Sequence, residues 1–193
     1  MEEVEPFLRI DRGFTLVEMI VATALFSVIM LVSVGALLSL IDANRKAQAL
    51  HLVINNLNIA LDSMVRSIRM GSSYHCGGGN YATTQDCTSG DTVFAFESFG
   101  GDPDDAQDQW VYLYDPGTKR VYKSEDSGLH SFAITAPSVL IDSMEFYVVG
   151  TDRGDSEQPK VVIALKGTVG AEKVKTKTTF HIQATAVQRI LDL

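Results

Sequence analysis

From Phe14 to Ile41 the chain is apolar almost without interruption, and Glu18 is the one charge in that run. A helix of about 20 apolar residues crosses a bilayer, so the run is long enough to do so. A carboxylate inside such a segment is expensive and calls for a reason. From Leu50 the pattern becomes amphipathic: Leu50, Ile54, Leu57, Leu61, Met64/Val65 and Ile68 recur every three or four positions, along one helical face. Asn55, Asn56, Asp62, Arg66 and Arg69 fall mostly on other faces. No proline interrupts Phe14 to Met70, and Gly71-Ser72-Ser73 supplies a stop. The pattern predicts one helix of about 57 residues, roughly 85 Å long. Its first half has membrane character and its second half is suited to packing on a globular body. Gly35 loosens the first half without breaking it.

Beyond Gly90 the period changes. Thr92–Glu97 alternates around Phe94 and Phe96. Trp110–Tyr114 and Arg120–Lys123 flank Asp115-Pro116-Gly117-Thr118, a turn sequence, and read as a hairpin. Ser143–Val149, Lys160–Leu165 and Lys177–Ala186 are rich in β-branched and aromatic residues. The polar stretch Gly150–Pro159 reads as a long loop. A long N-terminal helix followed by antiparallel strands predicts an α+β fold. The segments are a leader over 1–13, an apolar helical half over 14–41, an amphipathic half over 42–70 and a β-rich body over 71–193.

Charge narrows the function classes. The chain carries a formal charge of -8, and a net-acidic body argues against non-specific nucleic-acid binding, which depends on Lys and Arg. Residues 1–13 have no apolar core of the kind a secretory signal needs. Arg9 and Arg12 precede the apolar run and Arg45 and Lys46 follow it, so flanking charge does not orient it.

The string Arg12-Gly13-Phe14-Thr15-Leu16-Val17-Glu18 resembles the processing site of type IV pilins and type II secretion pseudopilins. That site has a short leader ending in Gly, a cut before an aromatic or Met, and Glu fifth after the cut. The resemblance implies cleavage between Gly13 and Phe14 by a prepilin peptidase on the cytoplasmic side, then methylation of the new Phe14 amine. It also implies that Glu18 pairs with the N-terminal amine of a neighbouring subunit, which accounts for a carboxylate at membrane depth: a buried charge is tolerated when paired. The leader departs from the usual basic pattern, since Glu2, Glu3, Glu5 and Asp11 outnumber Arg9 and Arg12. The implied fold is pilin-like, a long N-terminal α-helix packed on an antiparallel β-sheet. The implied life cycle is single-pass insertion in the cytoplasmic membrane with an exported C-terminal domain, then entry into an extracytoplasmic filament of other pilin or pseudopilin subunits. The arrangement is most similar to a minor pilin of a type IV pilus-like filament or a J-type minor pseudopilin of a type II secretion system. A non-polymerising membrane-anchored adhesin or sensor is the alternative of a different class.

In an exported domain, Cys76 and Cys87, the chain's two cysteines, favour a disulfide. His75 beside Cys76 raises a metal site as the alternative, but zinc sites use four ligands in paired spacings, and His51, His130 and His181 are scattered. No metal or cofactor is expected. Asp102, Asp104, Asp105 and Asp108 form an acid-rich loop; their spacing is not that of an EF-hand, and a solvated loop is the ordinary reading. Arg153-Gly154-Asp155 reads as a turn. No P-loop, nucleophile elbow, H-E-x-x-H or dinucleotide fingerprint is present, so the chain is read as a structural subunit and not as an enzyme.

Overall fold

A computed structural model describes residues 13–102, 105–137, 139–152, 157–169 and 178–189. The leader through Arg12, Asp104 and Arg153-Gly154-Asp155 lie outside them. The chain divides into two compact units, Met1–Arg45 and Lys46–Leu193. Helix α1, Leu16–Met70, is 55 residues long and contributes to both.

In the first unit α1 begins on a cap. The Thr15 hydroxyl accepts a hydrogen bond from the Glu18 amide at 3.2 Å, and the Thr15 carbonyl accepts from the Met19 amide. The Thr-x-x-Glu spacing is that of a capping box, and an acid in the first turn complements the helix dipole. The hydroxyls of Thr23 and Ser27 donate to carbonyls one turn back, so these polar side chains are satisfied within the helix.

In the second unit α1 buries Val53, Leu57, Ala60, Leu61, Met64 and Ile68, the face that the apolar periodicity marks, with Val53 and Ala60 added. The helix ends where the Gly71 amide donates to the Ser67 and Ile68 carbonyls. A Cβ at Gly71 would stand 2.7 Å from the Glu97 carbonyl oxygen and strike the Phe96 ring, so the chain leaves the helix through a gap that admits only glycine.

Among the described residues nine strands follow: β1 Ser72–Cys76, β2 Cys87–Asp91, β3 Val93–Glu97, β4 Trp110–Asp115, β5 Arg120–Ser124, β6 Ser131–Ala133, β7 Leu140–Val149, β8 Lys160–Val169 and β9 Thr178–Val187. They form two antiparallel sheets, one ordered β1-β3-β4-β5-β6 and the other β2-β7-β8-β9. The fold is α+β, as the pattern predicts, and its strands form two sheets where the resemblance implies one. The β4–β5 hairpin turns on the Asp115 carboxylate, which accepts from the Gly117 amide and the Thr118 hydroxyl, both at 2.8 Å. One core serves the body: the buried helical face meets Phe94, Phe96 and Tyr112 of one sheet and Ile141, Phe146 and Ile163 of the other. Phe94 stacks on Phe146 across the two sheets at 5.6 Å between ring centres. The Tyr114 hydroxyl, from the first sheet, donates to the Ile141 carbonyl of the second. Burial holds the Tyr112 phenol neutral up to about 12.

Candidate functional site

The residues that carry the processing motif stand at the start of the apolar helix. A Cβ built at Gly13 meets no atom within 4 Å, and Phe14 is 77% exposed. Glycine here leaves the backbone open to close approach by another chain. Glu18 follows in the first turn, its side chain exposed and its amide on Thr15.

The surface beyond it is apolar. Leu16, Val17, Ile20, Leu25, Phe26, Ile29, Leu31 and Leu37 are all exposed, and the helix is long and apolar enough to cross a membrane, with none of its most apolar window buried. Lone exposed apolar residues are ordinary, but a contiguous apolar surface of this size marks a place that lipid or another protein must cover. Gly35 also has open space around it.

Cys76 and Cys87 are joined by a disulfide, with Cα atoms 5.7 Å apart. They stand on β1 and β2, at the last and first residues of those strands. Because β1 lies in the five-stranded sheet and β2 in the four-stranded one, the bond ties the two sheets together. Cys76 pairs with Phe94 of β3 and Cys87 with Val148 of β7, which places the link over the shared core.

The histidines do not converge. His75 is buried, its Nδ1 2.7 Å from the Thr83 carbonyl and its ring edge-on to Tyr81. His130 Nδ1 meets the Asp126 carboxylate at 2.5 Å, and His51 and His181 are exposed elsewhere. Among the described residues no group of three His, Cys, Asp or Glu converges as a metal site requires.

The acid-rich loop is structured by its own backbone bonds. The Asp102 amide donates to Asp108 Oδ2 at 2.9 Å, and the Gln107 amide donates to Asp105 Oδ1 at 2.9 Å. Against it lies a residue that the sequence reading did not single out. Glu97, the last residue of β3, is 4% exposed and accepts from the Gln109 side-chain amide through Oε2. Burial pushes its carboxyl above the usual range, and Asp108, Asp102 and Asp105 add to the rise. An acid closing a strand otherwise read as Phe-Ala-Phe is the one signal that could have drawn attention to it.

A family model described as the prokaryotic N-terminal methylation motif matches residues 8–34. No curated protein and no solved structure matches the chain.

Proposed function

We propose that the chain, which matches the prokaryotic N-terminal methylation motif over residues 8–34, is a minor pilin, cut between Gly13 and Phe14 by a prepilin peptidase and built into a filament through α1. The observation that carries this reading is the order of features: Gly13, Phe14, Thr15 and Glu18 directly ahead of an exposed apolar helix of membrane length.

Cleavage exposes a cationic amine at Phe14 within one helical turn of Glu18. In the membrane both charges are costly, and each finds its counterpart most cheaply on the neighbouring subunit, where amine and carboxylate neutralise one another. Apolar side chains give little net drive to associate within lipid, so such a pair sets register while helix packing supplies contact. Once the helix leaves the bilayer, its exposed apolar surface is covered by the same neighbours. On this reading residues 14–41 are the membrane and assembly half of α1, 42–70 the half that serves the body, and 71–193 the exported domain.

Two features support export and a minor role. A disulfide between strands of separate sheets suits an oxidising compartment. The two-sheet body with its long loops suits a subunit at or near a filament tip. A minor pseudopilin of a secretion system shares every one of these features, and the genes beside this one separate the two: a retraction ATPase with a pilus, a secretin with secretion genes for a pseudopilus. The direct test of the assembly claim is crosslinking in the native host. Crosslinks from the 14–41 segment to other pilins support it, and a chain found solely as an uncrosslinked membrane monomer rejects it.

A further inference from the structure

Glu97 and Asp108 present a pairing problem that the fold leaves in plain view. Glu97 Oε1 and Asp108 Oδ1 are buried and have no hydrogen-bond partner among the described residues. Both carboxylates lie against Gly101: a Cβ there would stand 3.0 Å from Asp108 Oδ2 and strike Glu97 Oε1. The charged groups acting on Glu97 are Asp108, Asp102 and Asp105, carboxylates all. From the strand side it meets uncharged groups, with Ser72 of β1 opposite it in register and the Gln109 amide donating to Oε2. A buried carboxylate among like charges and without a cation is among the costlier arrangements a protein can hold.

One proton relieves it. Carried on Glu97 Oε1 and directed at the Asp108 carboxylate, whose Oδ2 shares the space beside Gly101, it gives the orphaned Glu97 oxygen a partner and removes one of two neighbouring negative charges, the solution that close carboxyl pairs adopt. We propose that Glu97 and Asp108 share a proton beside Gly101, and that its loss to solvent releases residues 98–102 and 105–109 from the end of β3, making this loop a pH-sensitive latch. The direction follows from the sign of the effect. A group held above its ordinary value stabilises the closed form fully below the unfolded value, and that contribution fades as pH rises through the folded one.

The Asp102 amide reports the latch, because its hydrogen bond runs to Asp108 Oδ2. Hydrogen exchange of this amide is measured on the full chain in detergent micelles from about pH 4 to about pH 8, corrected for intrinsic chemical exchange. The open form is expected to be about tenfold more populated at the upper end than at the lower, as one proton's worth of linkage carries. In Glu97→Gln the side-chain amide donates permanently, so the profile flattens to less than about twofold. Asp108→Asn, which removes the like charge, flattens it as well and serves if the first variant does not fold. A flat profile in the unaltered chain overturns the proposal, as does a Glu97 carboxyl seen by carbon NMR to titrate in the ordinary range. Millimolar calcium protecting the amide at the upper pH as fully as acid does also overturns it, since the resident is then a cation and not a proton.

Discussion

Replacing Cys76 and Cys87 together by Ala removes the one covalent tie between the two sheets. The sequence separation of 11 closes a short loop, and restricting the unfolded chain over such a loop is worth about 2–3 kcal/mol in the chain-entropy model. The backbone around the link stays intact in the variant: the Cys76 amide still donates to the Gln85 carbonyl and the Gln85 amide to the Tyr74 carbonyl. The loss therefore falls mainly on the unfolded side. With a urea dependence of about 1–3 kcal/mol per molar, the unfolding midpoint drops by about 0.7–3 M. The assay is urea unfolding of the full chain in mild detergent, read by Trp110, the single tryptophan, whose ring lies 6.1 Å from Phe96 in the core. Reductant added to the unaltered chain should reproduce the shift. A midpoint that moves by less than about 0.3 M, a small fraction of that expected shift, would refute the reasoning, as would full thiol labelling of both cysteines in the unreduced protein.

Gly71→Ala forces a methyl against the Phe96 ring and the Glu97 carbonyl and should cost about 1–3 kcal/mol, lowering Tm by about 5 °C; an unchanged melt contradicts the close approach. Asp126 is held down to about 2 by the Ser124 hydroxyl, then the His130 amide and ring. Its contribution is present above the ordinary aspartate range and lost as pH falls through about 2, so exchange of the His130 amide should quicken only under strong acid and already be fast in Asp126→Ala, which removes the acceptor. Glu18→Ala should leave the protein in the membrane while abolishing its incorporation into filaments, assayed by fractionation and shearing; wild-type amounts in sheared filaments remove Glu18 from assembly.

The helix was legible from end to end because one signal, unbroken apolar periodicity without proline, governs both of its halves; only the Thr15 cap, written as Thr-x-x-Glu, went unread. Strand β3 announced itself by alternation, β4 and β5 by the turn between them, and β7, β8 and β9 by β-branched and aromatic residues, although β7 starts earlier, at Leu140, and β8 runs further, to Val169. β1, β2 and β6 did not. Ser72–Cys76 opens on Ser-Ser and Cys87–Asp91 carries Ser-Gly-Asp, residues that favour turns, and they become strands because Phe94 and Val148 lie ready to pair with their cysteines. Ser131–Ala133 is a short edge that only β5 holds. Division into two sheets is a tertiary outcome with no local signature. The motif residues Gly13, Phe14 and Glu18 were legible because the methylation motif is a contiguous stretch of sequence, matched over residues 8–34. Glu97 was not, since its burial comes from a loop folding back over the end of β3 and no nearby pattern records that.

A chain processed and assembled as a prepilin carries the record of both steps in the chemistry of its N-terminus in the native host. Intact-mass and peptide spectra of membrane and filament fractions should show a chain beginning at N-methylated Phe14, with residues 1–13 gone. Assembled material that still begins at Met1, or that begins at Phe14 with an unmodified amine in every fraction, would contradict processing as a prepilin.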